Sequence, residues 1–242
     1  MPRTGLTSEQ IVRAAIDLMD TDGLEGLNMR SLGGRLDSAA TAVYWHVGSK
    51  DNLIALAADE AWNEIPLPDL TTVDWRTAAV RMATDLYAML TRHPWLVQTF
   101  GSFLSYGPGK ARHDDHALAI YEAAGLTHSR ADQAAATVFT FVLGISLGSA
   151  AAASLSRKLS RDGGDAKERM RDGMAKAIEI AAGFPRLRSR LDSAASAYGA
   201  APASTFEFGL QAILDGVEAQ LTARSADKNA RTAPRRTGRS RR

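Results

Sequence analysis

The apolar positions recur at helical spacing along nearly the whole chain. In the first segment Ile11, Ala15, Leu18 and Met19 lie on one face. Thr7-Ser-Glu-Gln10 before them fits a capping box, and Gly23 closes the helix. A second, short helix is predicted from the Asn28 cap, with Met29 and Leu32 opening an apolar face that Leu36 completes. A break follows at Asp37-Ser38. Ser38 is expected to cap a third helix with Ala42 and Trp45 turned inward; Gly48 ends it and Ser49 caps the next. Two short helices across a tight turn make a helix-turn-helix, whose second helix can lie in the major groove of DNA. Gly33-Gly34 sits in the middle of the second helix, where each glycine costs roughly 1 kcal/mol relative to Ala.

Beyond Ser49 a helix is predicted to about Glu64, broken by Pro66 and Pro68. The chain then reads as helical throughout. Segments end near Arg92, before Pro94, and near Ala124, before Gly125. Trp95–Leu104 is a short apolar piece, followed by a Gly-Pro-Gly loop at 107–109. A long helix is expected from Thr127 or Ser129 to about Leu159, a loop at Gly163-Gly164, and helices over roughly 166–182 and 202–223. Residues 184–201 fit no single element. The sequence therefore predicts an all-α fold in three parts: a helix-turn-helix domain (1–50), a larger helical domain (51–223) and a basic disordered tail (224–242).

The first region resembles a known family. Tyr44-Trp45-His46-Val47-Gly48-Ser49-Lys50, followed by Leu53, is similar to the recognition-helix signature of the tetracycline-repressor (TetR) family of transcriptional regulators. Phe206-Glu-Phe-Gly-Leu-Gln-Ala-Ile-Leu-Asp-Gly-Val-Glu-Ala-Gln-Leu221 resembles the last helix of the tetracycline repressors themselves. The likeness implies a three-helix DNA-binding head joined to a helical ligand-binding and dimerisation domain. It also implies a homodimeric repressor on palindromic operator DNA, released by a small molecule.

Carried over residue by residue, the resemblance puts Arg30, Ala40, Thr41, Tyr44, Trp45, His46 and Lys50 at the DNA. Arg30 suits a guanine edge or a phosphate, Thr41 a base, and Tyr44, His46 and Lys50 phosphates. The implied effector site lies between helices of the larger domain. Its candidate walls are Met82, Leu86, Met89, Leu90, Phe100, Phe103, Leu104, Phe139 and Val142, with His116 and Gln133 as polar anchors. Phe100 stands where the tetracycline repressors carry the histidine that chelates magnesium–tetracycline, and polar contacts are lost at Pro66 and Met82. A small apolar or amphipathic effector is expected instead, with no metal and no cofactor. The implied dimer interface pairs Gly144, Gly148 and Ala152 of the long helix with Phe206, Leu210, Ile213, Leu214 and Val217 of the last one.

Composition narrows the alternatives. With 242 residues, 45% of them hydrophobic, there is material for a sizeable core. Cysteine is absent, which excludes disulfides and thiolate metal sites and permits a reducing compartment; a cytoplasmic location is the expectation for a regulator of this kind. Residues 133–156 carry no charge and are long enough for a membrane span, but small residues dominate them. Gly144, Gly148 and Ala152, four apart, suit close approach of another helix. Gly107-Pro-Gly-Lys110 lacks the spacing of a phosphate loop. His113-Asp-Asp-His116 could offer two imidazoles to a metal, so a metal-dependent enzyme remains an alternative beside a membrane-associated protein. The net charge of +2 divides into +7 over residues 224–242 and −5 over the rest, so the high pI describes the tail rather than the body.

Overall fold

The computed structural model describes residues 6–102, 106–162, 164–191 and 204–232. Among these the chain forms eleven α-helices and no strand: α1 (Ser8–Asp22), α2 (Met29–Arg35), α3 (Ala40–Val47), α4 (Lys50–Trp62), α5 (Trp75–Arg92), α6 (Trp95–Ser102), α7 (Pro108–Ala123), α8 (Ser129–Asp162), α9 (Gly164–Ala182), α10 (Pro185–Leu191) and α11 (Thr205–Thr232).

The head is built by its caps. Thr7 and Gln10 exchange backbone-to-side-chain bonds as a capping box, and Asn28 accepts from the amides of Arg30 and Ser31. A 3-10 turn, Leu24–Gly26, joins α1 to α2. The glycine pair in α2 has a physical reason at one of its two positions. A Cβ on Gly33 would sit 2.7 Å from the Ser38 carbonyl oxygen and 3.1 Å from the Ala40 nitrogen, whereas one on Gly34 meets nothing within 4 Å. Gly33 therefore lets the turn fold back onto α2, where its carbonyl accepts from the Ser38 amide at 2.9 Å. Asp37 takes the left-handed conformation of that turn, at φ 49°.

The sequence reading is corrected at α3. Ser38 does not cap it; the helix begins at Ala40, with Ala39 at the cap position and no side-chain bond. The inward face is set by packing rather than by the cap, and residues four apart share one side of a helix. Val43 and Val47 are buried, not Ala42 and Trp45. Gly48, at φ 71°, ends α3, and Ser49 caps α4 by accepting from the Asn52 amide.

The larger domain is a bundle in which α5, α7, α8 and α11 share one core with α1–α4. In α8, Ala131, Ala134, Val138, Val142, Ser146 and Ala150 form the buried stripe, while Gly144, Leu147, Ala151 and Leu155 face outward. By length and composition this helix could cross a membrane; in the folded chain its inner stripe packs against α5 and α11. Three boundaries differ from expectation. Gly164 begins α9 rather than a loop, Pro185–Leu191 is helical, and α11 continues to Thr232. The backbone of 224–232, expected as disordered tail, is thus part of the last helix.

Gly33→Ala is expected to destabilise the head by about 1–3 kcal/mol through overpacking. Gly34→Ala should be neutral or stabilise by up to about 1 kcal/mol. Chemical denaturation of the two variants checks the contrast; equal effects would contradict the close approach at Gly33.

Candidate nucleic-acid interface and ligand cavity

The turn between α2 and α3 presents a polar and aromatic face. Arg30 and Thr41 are exposed, Tyr44 is 44% and Trp45 82% exposed, and Ala40, His46 and Lys50 are half-buried. Trp45 meets the His46 ring edge-on at 4.9 Å. An indole so open to solvent contributes nothing to the core and is available to a partner surface. Lys50 opens α4, where the first backbone N–H groups point outward and suit an anion.

A cavity of about 300 Å³ lies between α5, α7 and α8. Met82, Leu86, Ile120, Val138 and Phe139 make its apolar walls, with Tyr121 beside them; burial pushes the Tyr121 phenol above its ordinary pKa. Of the expected wall residues Met82, Leu86 and Phe139 are present. Met89, Leu90 and Val142 are instead buried in the core away from the lining. Phe100 sits outside the lining, edge-on to Phe139 at 5.6 Å and to Trp62 at 6.3 Å. Phe103 and Leu104 fall outside the described residues. Both expected anchors are misplaced. Gln133 is exposed while its neighbour Asp132 lines the cavity, and His116 hydrogen-bonds the Pro68 carbonyl at 2.8 Å.

Most of the polar part of the lining comes from one helical face not expected at the cavity, Lys110, His113 and Asp114, spaced i, i+3, i+4 on α7, and Asp132 of α8 adds to it. Lys110 Nζ lies 2.5 and 2.6 Å from the Asp114 carboxylate and over the Trp62 and Phe139 rings at 4.9 and 4.8 Å. His113 Nδ1 lies 3.4 Å from Asp114 Oδ1. Burial raises the Asp114 pKa, but hydrogen bonds and charge from His113 and Lys110 outweigh it and leave the net shift downward. Burial also pushes His113 below its ordinary pKa, so the ring is neutral near pH 7. His113 and His116 thus have different partners, and among the described residues no group of three or more His, Asp or Glu could hold a metal.

Polar contacts at two corners tie the bundle to α4, the helix that follows the head, and to α1 within the head. Asp59 of α4 accepts from the amides of Gly109 at 2.8 Å and Lys110 at 3.2 Å, capping the first turn of α7. Gly109 permits this approach, since a Cβ there would sit 2.5 Å from the Asp59 carbonyl oxygen. At the other corner His93, 3% exposed, bridges Asp20 of α1 (2.8 Å) and Glu64 beyond α4 (3.1 Å). Trp95 Nε1 donates to the same Asp20 at 2.8 Å, and Arg92 pairs with Glu64. Burial alone would lower the His93 pKa; the hydrogen bonds and charges of the two carboxylates overcome it and raise it.

The expected dimer residues divide. Leu210, Leu214 and Val217 are buried within the chain itself, against its own bundle, so they are not free to meet a partner. Phe206 stacks on Tyr87 at 4.7 Å, and Ile213 is half-buried against the same core. Gly144 and Ala152 are exposed and Gly148 is half-buried. The outward apolar residues on α8 and α11 are Leu147, 57% exposed, Leu155, and Phe208, 77% exposed.

Comparison with known proteins accounts for this architecture. The family model of the tetracyclin repressor-like C-terminal domain matches residues 67–221. An HTH-type transcriptional regulator of Saccharopolyspora erythraea is 34% identical over 139 residues, spanning 57% of this chain and 59% of that relative. The HTH-type transcriptional repressor DrrR1 of Streptomyces coeruleorubidus is 29% identical over 235 residues, 93% of this chain and 82% of its own. The crystal structure of the Streptomyces coelicolor TetR family protein ActR in complex with actinorhodin superposes with a TM-score of 0.68. It is 25% identical and covers 90% of this chain and 97% of ActR.

His93 sets a pH dependence above the ordinary histidine pKa of 6.5. Its raised folded-state value means that the protonated bridge stabilises fully below 6.5 and is lost as pH rises through the folded pKa. Urea unfolding at pH 6.5 and at steps above it should show wild type losing stability as pH rises, and His93→Gln losing less. His113, shifted the other way, titrates below this window. Parallel curves for the two proteins would contradict the bridge.

Proposed function

The chain belongs to the tetracycline-repressor (TetR) family of DNA-binding, ligand-responsive transcriptional repressors, and on that footing we propose how its parts divide the work. The family consists of regulators rather than enzymes. Residues 1–50 read the operator, and 51–223 bind the effector and pair two chains in the cytoplasm. The α3 face of Thr41, Tyr44 and Trp45, with Arg30, enters the major groove. Lys50 and the start of α4 hold a phosphate. Two chains present two such faces to half-sites about 34–36 Å apart.

The observation that carries this reading is the Asp59 cap. The helix that follows the reading head closes the first turn of the helix that lines the cavity. An effector that repositions α7 therefore acts on α4 directly, and α4 carries α3. Packed helices shift as units, so a small displacement at the cavity becomes a change in the spacing of two reading heads. A coupling of about 1–3 kcal/mol would lower operator affinity about 5- to 150-fold. The mostly apolar lining suits an amphipathic organic effector, and ActR, a protein of the same fold, is known in complex with actinorhodin. The dimer surface is the outward apolar face of α8 and α11 around Leu147 and Phe208.

The defining experiment is binding to the promoter beside the protein's own gene, with footprinting. Lys50→Ala and Tyr44→Ala should weaken binding to every sequence and each reduce the salt slope by about 1, because phosphate contacts release counterions. Thr41→Ala should change sequence preference instead. Folded, dimeric Lys50 and Tyr44 variants that bind as wild type would remove α3 and α4 from the interface.

Phe208→Arg and Leu147→Arg should give folded monomers with operator affinity reduced at least tenfold, since each places a charge in an apolar contact and a single head reads one half-site. Sedimentation velocity checks the mass; intact dimers would move the interface off this face.

A further inference from the structure

His113 lines the cavity, and one of its ring nitrogens, covered by neighbouring atoms, lacks a partner. His113 is 5% exposed, and its Nε2 is shielded from solvent with no hydrogen bond among the described residues. The other ring nitrogen fixes what Nε2 can do. Nδ1 faces Asp114, whose carboxylate is held ionised by Lys110 and His113 and so can only accept. In the neutral ring the single proton is therefore on Nδ1, and Nε2 keeps a bare lone pair. An unpaired buried acceptor is unfavourable, and native cores pair nearly all of theirs.

The surroundings restrict the missing donor. Asp114 and Asp132 lie in the same lining as the single cation Lys110, so an anionic group meets a surplus of negative charge. A cationic group meets the Lys110 ammonium, which already occupies the faces of Trp62 and Phe139. A neutral hydroxyl fits both limits. Phe139, Tyr121 and Ile120 offer flat and apolar area for a ring system beside it, and about 300 Å³ accommodates two or three fused rings.

We propose that the effector is a neutral aromatic alcohol that shifts the side chains covering Nε2 of His113 and donates its hydroxyl hydrogen to that atom. This rests on the cavity being the effector site. The bond would pull on α7 one turn after the point where Asp59 caps it, so occupancy of Nε2 and the position of α4 are mechanically linked.

The test uses the full-length dimer and two probes of nearly equal shape, 2-naphthol and 2-methoxynaphthalene, with affinity read by calorimetry. Wild type should bind the naphthol about tenfold more tightly, the scale of one hydrogen bond to an otherwise unpaired buried group. His113→Leu should bind both probes equally, and His113→Gln, which keeps an acceptor, should retain a preference. If the Leu variant does not fold, His113→Met makes the same comparison. Equal affinities in wild type, with both probes excluded by the cavity-filling Ala117→Phe, would overturn the donor assignment and leave the cavity standing. A preference that survives in His113→Leu would assign the hydroxyl to another acceptor and overturn it as well. If neither probe binds wild type, or Ala117→Phe binds both unchanged, the cavity is not the effector site and both readings fall.

Discussion

The carboxylate of Asp59 on the first turn of α7 is the contact on which the arrangement depends. Helix N-termini leave backbone N–H groups without partners, and a buried end without a cap is costly. α7 opens at Gly107-Pro108-Gly109, with no side chain of its own to cap it. Its cap comes from fifty residues earlier, on the helix that leaves the reading head. Gly109 is required for the same reason: any larger residue would push α4 away and uncap the helix. The cavity wall and the DNA-binding head are thereby joined by a directional, charge-assisted contact, which responds to displacement more steeply than apolar packing does.

The second tie, through His93, behaves differently. It joins the end of α1, the segment after α4 and the corner between α5 and α6, and its strength depends on a proton. Asp20 also receives the Trp95 indole, so its carboxylate serves two donors and cannot leave one without weakening both. α1 is thus anchored at its C-terminal end while α4 is anchored along its last turns. The short stretch between Trp62 and Trp75, with Pro66 and Pro68, adds little freedom of its own.

The sequence made the head legible because its caps are local. Thr7 with Gln10, Asn28, Gly48 and Ser49 all act on residues within four positions, and each behaves as its type suggests. What remained hidden depends on distant chain. Gly33 looked like a weakness in a helix, and its purpose is visible only once the Ser38 carbonyl is placed against it. The α3 cap lies one residue later than Ser38, and the inward face is fixed by contacts of Val43 and Val47 with distant chain, so Trp45 faces out. At the cavity the reading favoured His116 over His113 and Gln133 over Asp132. Both misses are of helical face, and on α7 few large apolar residues fix the phase. Leu210, Leu214 and Val217 show the same limit: an apolar stripe says that it is buried, not whether it is buried by its own chain or by a second one.

Charge explains why the reading face must be so local. Residues 1–223 carry a formal −5, so the body as a whole is repelled by a polyanion at long range. Attraction has to come from a few cations placed within a Debye length of the phosphates, about 8–10 Å at physiological salt. Arg30 and Lys50 open α2 and α4, and at each start the helix dipole adds positive potential to the side-chain charge. Residues 224–242 hold the compensating +7, and α11 carries the backbone of the first nine of them as a continuation of the helix that ends the bundle. The helical part, 224–232, holds Arg224, Asp227, Lys228 and Arg231, a formal +2 of that +7.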